Sequence, residues 1–294
     1  MFILGVFALA LMTAAACSLP GIFMVLRKNS MLVDAITHSI FPGVAIGYLL
    51  TRDLQSPLLI VGAACAGLAV VYGTQALART RMLAGDSSIG LVFPAMFAVG
   101  VLITSAGFSG IHFDTHVALV GDLNLAAFSR LEIGRHDLGP SYFYTMLAVF
   151  LINLLVTRAL YHQLLASTFD EDHARSLGIN TAVLSFILMT MVAVTATAAF
   201  NAVGAILVIA VMITPAATAK VISKTMRQMF AWTMVFALFG AGAGFWIAYH
   251  LDTGASAAMA VVYGVQFFIV LVVDALRTHS RKPQLATEAA QRVA

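Results

Sequence analysis

The sequence predicts an all-α, polytopic membrane protein of eight to nine transmembrane helices, N-terminus outside and C-terminus cytoplasmic. Three observations carry this. Of 294 residues, 61% are hydrophobic and 10% charged, against roughly 25% charged in a soluble domain. Such a chain cannot clothe itself in a polar surface, so lipid must solvate it. Apolar runs of the roughly 20 residues needed to cross hydrocarbon recur along almost its whole length. Lysine and arginine fall alternately on the two sides of those runs.

The runs cover 3–26, 31–51, 57–78, 88–106, 141–160, 181–200, 203–222, 229–250 and 256–276. The first has no basic segment before it and reads as an uncleaved span rather than a signal peptide. The second contains Asp34, His38 and Pro42. The runs 181–200 and 203–222 are joined only through Asn201 and Ala202, so one of them is expected to be a partial or broken span. With the N-terminus outside, only Arg52, Arg130 and Arg135 of the 16 basic residues lie in outer loops, and the alternation holds at every loop. A transmembrane domain over 1–277 and a short, disordered polar tail over 278–294 are therefore expected. Gly43 and Gly47, and Gly240 and Gly244, stand four apart on helix faces and predict close helix packing. Cys17 and Cys65 form no CxxC pair and read as packing residues.

Composition also excludes. The net charge of +3 is spread over short clusters between apolar runs, which argues against a nucleic-acid surface. There is no G-x-x-x-x-G-K-[ST], so the chain has no P-loop, and no H-E-x-x-H or G-x-S-x-G motif of a protease or hydrolase.

Four stretches can carry chemistry. Asp34 and His38 are four apart and share one helix face. A carboxylate inside a span costs roughly 2.5–3.5 kcal/mol and usually faces a cavity. Carboxylate and imidazole together are a partial ligand set for divalent Mn, Zn or Fe. The alternative is a structural pair, with Asp34 near the inner surface capping a helix or meeting Arg27 or Lys28. Pro42 lacks an N–H, which frees the carbonyl of His38 and predicts a kink.

The second stretch is "FDEDHARSLG", with Phe169, Asp170, Ala174 and Gly178. Aspartate suits a helix start and glycine its stop, giving a short helix that either docks into a partner or is simply solvated. Pro215 interrupts a late apolar helix; it frees the carbonyl of Val211 beside Thr214 and Thr218, whose hydroxyls can meet the broken ladder. Finally, His112, Asp114 and His116 alternate in an outer loop, a loose metal site or an ordinary solvated loop.

Taken in order, "VLRKNSMLVDAITHSIFPGVAIGYLL", "GD" at 121–122, "FDEDHARSLGI" and "VGAILVIAVMITPAATA" resemble the metal-importing permeases of ATP-binding-cassette systems, the ABC-3 family. The resemblance spans nearly the whole chain. It implies a bacterial inner-membrane subunit that imports zinc, manganese or iron as cargo and holds no permanent cofactor. It further implies a homodimer, a separate cytoplasmic ATPase subunit and an extracytoplasmic metal-binding protein. Asp34 and His38 would contact the metal in the path, and Asp170 through Gly178 would form the helix that meets the ATPase. The first and last stretches look more like the manganese-type members. The rival is a proton-coupled secondary carrier with Asp34 and His38 as a proton relay, which an uncoupler would stop while ATP is held constant. A protonated imidazole has no lone pair for a metal, so metal uptake should fall on acidification. Uptake that stays flat down to about pH 5 would count against His38 as a ligand.

Overall fold

A computed structural model describes residues 2–52, 57–80, 82, 87–107, 123–133 and 136–293. The order is α1 (Phe2–Leu26), α2 (Ser30–Thr51), α3 (Pro57–Arg79), α4 (Ser87–Gly107), α5 (Leu123–Phe128), a hairpin of β1 (Arg130–Ile133) and β2 (His136–Pro140), α6 (Ser141–Ala159), α7 (Tyr161–Phe169), α8 (Glu171–Ser176), α9 (Thr181–Ile222), α10 (Met226–Leu251) and α11 (Ala255–Val293). The small antiparallel hairpin pairs Ile133 with His136 and Glu132 with Asp137. It lies in what the sequence reads as the long outer loop. Eight of the described helices are long and apolar enough to cross a membrane.

One of them crosses twice. α9 has 42 residues and departs from helical dihedral angles at Gly204, where φ is 78° and ψ 168°. Unbroken, it would be about 63 Å long, twice the hydrocarbon thickness. Instead both ends return to the same end of α1. Leu184 and Leu188 pack with Phe23, while Ala216 and Ala219 pack with Ile22 and Val25. The chain therefore reverses at Gly204, and its legs are the two short-linked runs seen in the sequence. Counted leg by leg, the described residues hold nine apolar segments. α11 stays helical past residue 277; residues 278–294 hold four Ala, two Gln and two Arg, which favour helix.

α1 is the central post. Its buried face includes Leu9, Ala10, Ala14, Ala16 and Cys17, each 0% exposed. Asn153 of α6 is buried beside it; its amide donates to the Ala16 carbonyl at 3.2 Å and to the Thr195 hydroxyl at 2.8 Å, tying α6, α1 and α9 together. Cys17 is buried, whereas Cys65 lies exposed on α3. Tryptophans mark the ends of α10. Trp232 stacks on Phe236 at 5.7 Å, and Trp246 lies 5.0 Å from His250. The two tryptophans stand fourteen positions apart, about 21 Å along the helix axis.

Small residues bring the helices close. A β-carbon on Gly43 would collide with the Gly62 carbonyl of α3, and one on Gly47 would press on Leu59. Gly240 lies under the Tyr263 ring, and Gly244 against Met259, both of α11. Tyr263 is fully buried and its hydroxyl donates to the Ala237 carbonyl at 2.6 Å. Gly43→Leu should therefore cost at least the 1–3 kcal/mol typical of overpacking, and Gly204→Ala about 1–3 kcal/mol of backbone strain. Thermal melts of the purified protein in detergent check both. An unchanged melting temperature for Gly43→Leu would contradict the close α2–α3 contact.

Candidate functional site

α2 begins at Ser30, with Asn29 before it, so Asp34 lies about 6 Å and His38 about 12 Å along a helix about 33 Å long. Asp34 is thus in the third of the span nearest the Arg27 end, and His38 just short of its middle. The two meet: His38 Nε2 is 3.4 Å from Asp34 Oδ1. Neither is sealed away, with the Asp34 side chain 41% and that of His38 26% exposed. Their open side coincides with the surface of the isolated chain, where a second molecule or a water-filled passage can reach them.

Two rings of α4 position the imidazole. Phe93 lies 5.3 Å from the His38 ring, tilted by 41°, and Phe97 lies edge-on at 6.4 Å. Phe97 also packs 5.9 Å from Phe41. Pro42 is buried, and the backbone of Gly100 on α4 presses against it. α2 is helical throughout Ser30–Thr51, proline included.

The alternative in which Asp34 pairs with Arg27 does not hold. Arg27 gives its donors to three hydroxyls: Nε to Thr168 at 3.1 Å, one terminal nitrogen to Ser185 at 3.0 Å, the other to Ser167 at 2.8 Å. Burial pushes its pKa below the ordinary arginine value, and the charge of Glu171 opposes that. Nor is Asp34 a cap, since it lies in the second turn.

The stretch 169–178 forms the short helix expected of it. Asp170 is the N-cap of α8, its side chain accepting from the His173 amide at 2.8 Å. Gly178 takes φ +80°, and the Ile179 amide closes onto the Ala174 carbonyl at 3.1 Å, a glycine-based C-terminal stop. Ala174 is fully buried, while Phe169 and Leu177 are 66% and 62% exposed. A cavity of about 390 Å³ opens beside the stop, lined by Leu160, Gln163, Leu177, Gly178 and neighbouring residues. An apolar pair exposed around a capped, charged turn suits a partner protein.

Pro215 is buried in the returning leg of α9. The Thr218 hydroxyl donates to the Thr214 carbonyl at 2.7 Å rather than to that of Val211, because a threonine in a helix reaches back four residues. His112, Asp114 and His116, with the "GD" at 121–122, lie outside the described residues. No group of three or more His, Cys, Asp or Glu able to hold a metal occurs among the described residues. One chain thus offers two side chains at α2 with the chemistry to ligate a metal, fewer than a full shell takes.

Sequence reasoning missed three features. Arg27 read as a charge marking one side and as a candidate partner of Asp34, not as a clamp on three hydroxyls. Phe93 and Phe97 are two phenylalanines among 20. Gly204 differs from other intramembrane glycines only by its dihedral angles.

Apolar helices packed around α1, an acidic–imidazole pair within one span and a capped turn at one end of the bundle describe a membrane transport subunit. The ABC 3 transport family model matches residues 1–274, so the chain belongs to that family, the permeases of ATP-binding-cassette importers. It is 37% identical over 262 residues to the zinc transport system membrane protein TroD of Treponema pallidum, covering 89% of this chain and 71% of that one. It is 30% identical over 260 residues to the manganese transport system membrane protein MntD of Bacillus subtilis, covering 88% of each. Among solved structures, PsaBC from Streptococcus pneumoniae in complex with Fab shares the fold at a TM-score of 0.75, with 24% identity over 92% of this chain and 91% of that one. The chain is a multi-pass bacterial inner-membrane protein and a metal-transport permease, not itself the ATPase. Its family implies an ATPase and a substrate-binding protein as partners.

If α8 is the partner's docking surface, Ala174→Gln, which cannot fit a fully buried position, should release the ATPase from the complex during purification. Asp170→Ala should weaken α8 by about 1 kcal/mol through loss of its cap. Full retention of the ATPase by both variants would show that it binds elsewhere.

Proposed function

We propose that this permease imports a divalent transition metal, manganese in preference to zinc or iron, as a homodimer whose Asp34 and His38 contact the ion in transit. The observation that carries the reading is the 3.4 Å approach of Asp34 and His38 on the open face of α2. A carboxylate and an imidazole suit several divalent metals, manganese, zinc and iron among them. The likeness to MntD supports manganese as the cargo. Zinc is the second reading, favoured by the 37% identity to TroD. Two copies of α2 facing one another would supply four ligands and complete the shell that one chain lacks.

In this reading the N-terminus lies outside, and the α8 end, with Arg27, Lys28, Arg158 and Arg175, lies in the cytoplasm by the positive-inside rule. The binding protein delivers the ion at the outer mouth, where the HFDTH loop (His112, Asp114, His116) is a candidate first contact. Asp34 supplies negative charge and His38, neutral, a nitrogen lone pair. The ATPase pushes on Phe169 through Gly178, and the segments around Pro42 and Pro215 flex between outward and inward openings. ATP as the energy source separates this from a proton-coupled carrier, since a secondary carrier has no partner to press on α8.

The test is uptake of radioactive manganese and zinc in cells lacking their own importers and expressing this chain with its ATPase and binding protein. Asp34→Asn and His38→Ala should each abolish uptake at unchanged protein level, with manganese taken up faster than zinc by wild type. Undiminished uptake in both variants would make the two residues a structural pair, and faster zinc uptake would reverse the order of cargo.

A further inference from the structure

We infer that Arg27 is the joint through which movement of α8 reaches the ionisable face of α2. The inference rests on the docking and metal-path roles proposed above. Its ground is where the three hydroxyls held by Arg27 lie in the chain. Ser167 and Thr168 close α7 immediately before Phe169 and Asp170, and Ser185 lies in the second turn of α9, just beyond Gly178. One guanidinium therefore grips the chain on both sides of α8. A displacement of α8 that draws the end of α7 or the start of α9 with it changes these contacts.

On its other side Arg27 belongs to the turn that starts α2. That turn is stiff. Lys28 is held at φ +59°, and the amides of Arg27, Lys28 and Asn29 close onto the carbonyls of Phe23, Val25 and Met24 at 2.9, 3.3 and 2.9 Å. The Leu32 amide then accepts no slack, donating to the Asn29 carbonyl at 3.1 Å. A pull on Arg27 is thus passed to Ser30 rather than absorbed, and Asp34 follows one turn later. The partners are also suited to change. Hydroxyls can be exchanged for one another by a guanidinium without separating an ion pair, and Glu171, the nearby acid, is held by Arg175 at 2.7 Å. The joint can shift between partners while staying engaged.

The test uses the complete complex of permease, ATPase and binding protein in vesicles, with manganese as cargo, and reads uptake and ATP hydrolysis per assembled complex. Wild type is compared with Arg27→Lys, Arg27→Gln and the double variant Ser167→Ala/Thr168→Val. A lysine keeps the charge but cannot fork to three hydroxyls. The expected result is retained ATPase and continuing hydrolysis, with ions moved per ATP down about tenfold, inside the 5–150-fold range of coupling between sites. An unchanged ratio in the Arg27 variants, or uptake and hydrolysis falling together, would overturn the inference and leave Arg27 a structural clamp. If the Arg27 variants do not assemble, the double variant, which keeps Arg27, decides by the same ratio. Wild-type vesicles that move no metal on ATP would instead overturn the importer reading itself, and this inference with it.

Discussion

Gly43 and Gly62 lie backbone against backbone, and that approach decides which way the ionisable face of α2 can turn. Lipid gives apolar side chains no reason to leave it for one another, so helices in a bilayer associate through fit and close approach. Gly43 stands nine positions after Asp34, and Gly47 nine after His38. Two and a half helical turns put the glycines and the ionisable pair on opposite sides of α2. Once α3 claims the glycine side, Asp34 and His38 must face away from it. α4 then closes one flank, with Gly100 on Pro42 and the Phe93 and Phe97 rings against His38.

The other end of the same helix is governed by a polar requirement. A guanidinium withdrawn from water needs its donors met. Arg27 meets them with hydroxyls from the two helices that flank α8, so the neighbouring ends of α1, α7 and α9 are bound into one unit. Phe23, Leu164 and Leu184 pack beneath it. The α8 end of the bundle is therefore a single platform built on the foot of α1, with α8 resting on it by its buried Ala174.

Much of this was legible in the sequence because hydrocarbon imposes strict terms on length and composition. The nine apolar runs became eight spanning helices among the described residues, two runs forming the legs of α9, and the glycine pairs at 43/47 and 240/244 became helix contacts as their spacing required. The capped turn at 170–178 was readable because aspartate and glycine have distinct backbone roles at helix ends. The pairing of Asp34 with His38 followed from helical spacing alone. What remained hidden depends on contacts between residues far apart in the chain. Nothing near Arg27 announces Ser167 or Ser185, some 140 and 158 positions away. The aromatic wall beside His38 comes from another helix, and the reversal of α9 rests on one backbone conformation at Gly204.

That reversal bears on how the polypeptide is made. The tip at Gly204 sits between Val203 and Ala205, both buried, with Asn201 as the nearest polar side chain. There is no hydrophilic loop to be dragged through hydrocarbon, so the two legs of α9 can enter the membrane together, as a hairpin, from the side on which both their ends remain. The returning leg is only about 27 Å long, and its buried Ala216 and Ala219 rest against Ile22 and Val25. A ribosome that stalls after residue 203 would leave that strip of α1 bare to lipid, so the central post is completed only when the second leg has been synthesised.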